Sequence, residues 1–327
     1  MKRVVLCASI ALSMLSAHSV RAADSRIDPQ KKTGTSMGAE TSRRLVIRVE
    51  EGGWGGAKPE EIETLLYAVA DTLLTHFPQR KLNPIVVSST RQGPIVLYQK
   101  GPENEYQVFL SAKDKRWAEY VYEFSHELFH ILAKYENHAP PKAASNLWFE
   151  ETLCEAVSLY TLRQMSLHWE QLPPRPEWAS YASTLREYTG RVQNEPHRRL
   201  PANTSLEQWF RENGPLLLEN PYLRGKNELV ANLFLPILEH NQDWQAVAFL
   251  NPEVRQGKIG FYDYLASWHS RTPPEHQQFT RLAMRMFHFD VPETPAYNLA
   301  EVGTQAPVLE SHVAAQQVLG AAGSRRE

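Results

Sequence analysis

Apolar and basic residues alternate over 45–49, the period of a half-buried strand, and the run stops at Gly52, Gly53, Gly55 and Gly56, which predict a loop. Pro59 then opens a stretch that sets Ile62, Leu65, Leu66, Val69 and Leu73 on one helical face. Three short strands are expected over 84–88, 94–99 and 106–111, the last two joined as a hairpin by the Gly- and Pro-bearing segment 100–105. From there the period changes to that of a helix, over about 116–135 and again over 147–165. Three prolines in 172–176 mark an expected boundary between lobes. Beyond it the apolar pattern recurs at helical spacing to Phe287. The expected fold is therefore α+β: a small mixed sheet with helices over 44–171, followed by a mainly helical lobe over 172–303.

The two ends follow neither pattern. Lys2 and Arg3, an apolar run over 4–15, and then Val20, Arg21 and Ala22 have the form of an export signal over 1–22. The run is shorter than the roughly 20 apolar residues of a membrane-spanning helix, so a mature chain without a transmembrane segment, periplasmic or secreted, is expected. Residues 23–43 are polar and 304–327 are rich in Ala, Gln and Gly; both are expected to be disordered. With Cys7 in the signal, Cys154 is the single mature cysteine, which excludes an intramolecular disulfide. A net charge of -2 gives no reason to expect a nucleic-acid partner. The glycine cluster lacks the spacing of a phosphate-binding loop.

The segment that changes this picture is Phe124, Ser125, His126, Glu127, Leu128, Phe129, His130. Its histidines stand at i and i+4, one turn apart on one helical face, where two imidazoles can share a metal. Glu127 between them projects beside that metal, where a carboxylate can take a proton from an activated water and pass it to a leaving amine. The surrounding residues are apolar and free of Pro and Gly, as a buried, rigid ligand helix requires. The plain alternative is two ordinary histidines on an amphipathic helix.

A catalytic zinc needs a third protein ligand. Downstream runs Trp148, Phe149, Glu150, Glu151, Thr152, Leu153, Cys154, Glu155, with twenty residues between His130 and Glu151. Here the chain resembles the gluzincin metallopeptidases, and its motif is nearest to their aminopeptidase branch, whose second motif runs Trp, apolar, Asn, Glu and later an acidic residue. Glu150 stands where that branch has Asn. The resemblance implies a zincin-like sheet and metal helix, a Zn2+ ion held by His126, His130 and Glu151, and Glu155 one turn on, orienting a ligand from behind. Glu150, about 100 degrees round the helix from Glu151, is the alternative third ligand. Cys154 reads as a soft ligand, a nucleophile or a small buried thiol, and the helical pattern favours the last. The metzincin pattern fails, because Ala133 and Glu136 stand where it has Gly and His.

The same family carries a Tyr before a Lys-Gly pair at the head of a later helix, and Tyr222, Leu223, Arg224, Gly225 is similar. The likeness implies Tyr222 as a transition-state hydrogen-bond donor. The branch's segment for capturing a substrate amino terminus has no counterpart, so aminopeptidase activity does not follow. Zincins commonly pair an extended peptide with the sheet edge beside the metal helix, and 106–111 is the strand expected there. The function expected is an exported zinc-dependent peptidase acting on a peptide or protein substrate through a zinc-activated water, with Glu127 as general base. The alternative is an inactive scaffold of the same fold serving binding or envelope assembly.

Overall fold

A computed structural model of the chain describes residues 45–138, 146–252 and 259–291. The expected leader 1–22, linker 23–43 and tail 304–327 lie outside them. Strand β1 (Ile47–Val49) leads through the glycine turn to helix α1 (Pro59–Leu74), whose start is fixed by Pro59 and by the Glu61 carboxylate accepting the Lys58 backbone N–H at 3.1 Å. The predicted apolar face of α1 is buried. Strands β2 (Ile85–Ser89), β3 (Ile95–Val96) and β4 (Tyr106–Leu110) complete a four-stranded sheet in the order β1-β2-β4-β3. β2 pairs in parallel with β1 and β4, and β3 pairs antiparallel with β4.

This order corrects one expectation. The 106–111 strand is not an edge: β2 takes one side of β4, and the hairpin folds β3 onto the other. The turn that does so is held by the Gly101 N–H on the Glu105 carbonyl and by the Glu105 carboxylate on the Glu103 N–H, at 2.9 and 2.7 Å. On that side of the sheet the edge is two-residue β3, and it is short, as exposed edges generally are.

Helix α2 (Trp117–Leu132) packs on α1, on the sheet and above all on α3 (Leu147–Trp169). The latter has no polar stripe, and 18 of its 23 residues are buried, so it is the central rod of the molecule rather than a surface helix. Helices α4 (Tyr181–Gln193), α5 (Leu206–Glu219) and α6 (Arg224–His240) pack on it in turn. The stretch 172–176 links α3 to a 3-10 turn, and helices from both sides of it touch α3. Helices α7 (Phe261–Arg271) and α8 (Gln277–Met286) close the far end. The fold is thus α+β and mostly helical with a small mixed sheet. No helix among the described residues is long and apolar enough to cross a membrane.

Phe149 ties the head of α3 to the last helices: its buried ring lies 5.2 Å from Phe261, 6.0 Å from Phe234 and 6.2 Å from Phe287. Phe149→Ala is expected to lower stability by about 3–5 kcal/mol, read from urea denaturation.

His76, just beyond α1, stacks on Trp244 with centroids 3.8 Å apart, donates from Nδ1 to the Gln242 carbonyl and accepts from the Tyr160 hydroxyl, each at 2.9 Å. Burial depresses its pKa below the ordinary 6.5, against a smaller opposing pull from the Gln242 bond. The unfolded chain therefore binds the proton first. The neutral ring's contribution to stability is complete above 6.5 and is lost as pH falls toward the folded-state value. His76→Phe, which keeps a stackable ring but does not titrate, is expected to flatten the fall in urea midpoint between about pH 7 and 5.

Candidate metal centre

Helix α2 brings His126, Glu127 and His130 to its contact with α3, and α3 answers with Glu150, Glu151, Cys154 and Glu155. The two imidazoles sit 5.0 Å apart between ring centroids. Each turns Nδ1 toward one carboxylate and Nε2 toward another. His130 Nδ1 lies 2.7 Å from Glu150 Oε1, a charge-assisted hydrogen bond that places the ring proton on Nδ1. The other Glu150 oxygen accepts the Asn251 amide at 2.8 Å, and that amide also donates to the Ala133 carbonyl at the end of α2 at 2.9 Å. His126 Nδ1 faces Glu155 Oε1 at 3.9 Å.

Both Nε2 atoms converge on Glu151, His126 on Oε2 at 3.4 Å and His130 on Oε1 at 3.7 Å. Two donors each about 2.1 Å from a tetrahedral zinc stand roughly 3.4 Å apart, so these separations, too long for good hydrogen bonds, suit an ion between the donors. The donor set passes a second test. At His130 the Glu150 carboxylate behind Nδ1 fixes the tautomer that presents Nε2, which is how ligating histidines are ordinarily supported, and at His126 Glu155 stands behind Nδ1 at 3.9 Å.

Cys154 competes with Glu151 as third donor. Ligand atoms of His126, His130 and Cys154 lie within 4.8 Å of one another, and the thiol hydrogen-bonds His130. Burial, however, pushes the Cys154 thiol far up, against a smaller opposing pull from His130, and a thiol must lose its proton to ligate. The less enclosed Glu151 carboxylate, with an oxygen turned to each Nε2, is the better donor. Burial alone works against charge on both imidazoles. Glu151 with Glu127 outweighs it at His126, and Cys154, Glu151 and Glu150 outweigh it at His130, so both rings stand above the ordinary histidine range.

Glu127 is 4 % exposed. Burial raises its pKa, while His126 and His130 pull it down, as does a hydrogen bond from the Val96 backbone N–H. The sheet explains that last contact. Leu97 N–H points inward to the Gln107 carbonyl at 3.0 Å, and strand alternation turns Val96 N–H to the free edge, where it meets Glu127.

Glu155 is held on every side. The Tyr122 hydroxyl donates to it, and Arg198 and Arg224 stand 3.8 Å away. Burial opposes its charge, but Arg224, His126 and Arg198 together hold its pKa below the ordinary carboxylate range. Tyr222 is 40 % exposed just before α6. It interacts electrostatically with Tyr98, which in turn feels Glu150, His130 and Glu151, and this places both phenols beside the site. Burial is the largest cause pushing the Tyr98 hydroxyl up, so it remains a donor.

No protein-family model, curated protein or solved structure matches the chain. The reading of the site rests on its own residues.

Sequence reasoning alone did not find Glu150's partnership with His130, Asn251, the Val96 amide, Tyr98, or the two arginines behind Glu155. Removing the Nδ1 acceptor by Glu150→Ala is expected to weaken zinc binding about 10- to 100-fold in chelator competition. Cys154→Ala is expected to leave it near wild type. Loss of zinc with Cys154→Ala but not with Glu151→Ala would make the thiol the third ligand.

Proposed function

We propose that the chain is an exported zinc-dependent peptidase of gluzincin type, with His126, His130 and Glu151 holding the metal. The observation that carries this is the convergence of two Nε2 atoms on one carboxylate oxygen pair, at 3.4 and 3.7 Å, with Glu127 buried alongside and tied to the sheet edge. A zinc ion in that position supplies Lewis acidity toward water and the scissile carbonyl.

The residues divide the remaining work. Glu127 accepts a proton from the attacking water on its carboxylate and returns it to the departing amine nitrogen. Its burial beside the two imidazoles and its hydrogen bond from the Val96 N–H hold the carboxylate in one place for both halves of that transfer. Glu150 and Glu155 hold the imidazoles in register. Tyr222 and Tyr98 stand beside the site, and their placement supports a donor role toward a developing oxyanion. The Val96 contact leaves the base fixed against the strand beside which an extended peptide would lie.

The test is zinc per chain by elemental analysis, together with hydrolysis of a quenched fluorogenic peptide library. Wild type is expected to carry close to one zinc. His126→Ala and Glu151→Ala should lose it, and Glu127→Gln should keep it while turnover falls by about 10²–10⁴-fold. A wild-type chain that takes up no zinc when supplied with it would overturn the reading.

A further inference from the structure

Beside the candidate metal centre lies an open groove of about 460 Å3 at the head of α6. Trp209, Leu223 and Leu229 give it apolar walls, Tyr222 stands in its lining, and Arg224 and Lys226 bring two cations to it. It adjoins the centre through one pair of side chains: Arg224 is 3.8 Å from Glu155, which is 3.9 Å from His126 Nδ1. Tyr222 is common to the groove and, through Tyr98, to the surroundings of His130 and Glu151.

The two cations are not fully engaged by the protein. Lys226 Nζ bonds the Asn213 amide oxygen and lies 5.8 Å from the Trp209 ring centroid, and among the described residues no carboxylate pairs with it. Arg224 spends Nε on Glu228 at 2.6 Å and one terminal nitrogen on Glu155. Among the described residues its other terminal nitrogen has no acceptor. Two donors of positive charge on an apolar-walled groove match a carboxylate carried on a hydrocarbon stem, and a guanidinium with a free face is suited to binding one. Glu155 and Glu228, the carboxylates that meet Arg224, are not in the lining, so no acidic side chain lines the groove among the described residues.

We propose that this groove is a substrate subsite that takes a peptide carboxylate, with Lys226 and Arg224 as its specificity-determining residues. The proposal rests on the peptidase reading and adds its substrate class: peptides with an acidic side chain, or a free C-terminal carboxylate, close to the scissile bond. Lys226 supplies the unpaired charge, Arg224 adds a directed hydrogen bond, and Trp209, Leu223 and Leu229 cover the stem.

The test separates this proposal from the peptidase reading by measuring binding as well as cleavage. Fluorescence anisotropy on full-length Glu127→Gln protein loaded with zinc compares labelled peptides that differ only in Glu, Gln or Lys at one position, and in a free or amidated C-terminus. The peptide bearing the carboxylate is expected to bind about 10- to 100-fold more tightly than its amide. That ratio should shrink with salt, fall close to one in Lys226→Gln, and invert toward the Lys peptide in Lys226→Glu. Preference for Glu with either terminus assigns the groove to an acidic side chain, and preference for the free terminus assigns it to the chain end. Equal affinity for Glu, Gln and amidated peptides, or a preference that survives Lys226→Gln unchanged, would overturn the subsite while leaving the zinc and turnover measurements untouched.

Discussion

Four glutamates, Glu127, Glu150, Glu151 and Glu155, meet two histidines where α2 packs on α3, and three of the four are almost wholly buried. A carboxylate removed from water costs several kcal/mol unless a partner of opposite charge or a hydrogen-bond donor meets it. The structure around the helix pair is organised to meet that demand. Glu150 has His130 and Asn251, Glu155 has Tyr122, Arg198 and Arg224, and Glu127 has the Val96 amide and the two imidazoles. Among the described residues, Glu151 is met by nothing closer than two Nε2 atoms at 3.4 and 3.7 Å. The least satisfied carboxylate of the cluster is thus the one facing both Nε2 atoms, so the proposed metal site is supported by packing as well as by the five-residue motif.

The partners come from distant parts of the chain, and this gives the later helices a role at the site. Asn251 is 101 residues from Glu150. Arg198 lies in the connection before α5, and Arg224 heads α6. Arg198 is 1 % exposed and joins Glu155, Glu228 and the Tyr122 hydroxyl. Such a buried guanidinium is tolerated only where its anions are held still, so α6 must dock on α3 before the α2–α3 charges are balanced. The helical part of the molecule therefore completes the electrostatics of the part that carries the motif.

Much of this was legible in the sequence. Periodicity predicted α1, α2 and α3 and the hairpin, because their apolar spacing is decided by burial on one or all sides. The i, i+4 spacing put His126 and His130 on one face, and register singled out Glu151. The rest depended on how elements pack. Glu150 does turn away from Glu151 on α3, as the helical angle requires, but His130 lies one turn along α2 from His126 and meets it there. Residue spacing within one helix cannot show which neighbouring helix receives a side chain. The edge strand was misplaced for a similar reason: β4 has the longer alternating pattern, yet the hairpin carries the two-residue β3 to the outside. Only that topology exposes Val96 N–H to Glu127.

The charge network also constrains how the centre and the groove can depend on each other. Arg224 contacts Glu155 with one terminal nitrogen and Glu228 with Nε, and it also lines the groove. An anion arriving in the groove competes for the same guanidinium that lowers the Glu155 pKa. Arg224 is the strongest of the pulls that lower the Glu155 pKa, but Arg198 at 3.8 Å and the Tyr122 hydroxyl remain as further partners when Arg224 is shared. The redundancy has a physical consequence. A single arginine serving both sites would couple groove occupancy to His126 strongly. With Arg198 and the Tyr122 hydroxyl also on Glu155, the carboxylate behind His126 keeps partners that do not line the groove when Arg224 is shared with an anion there.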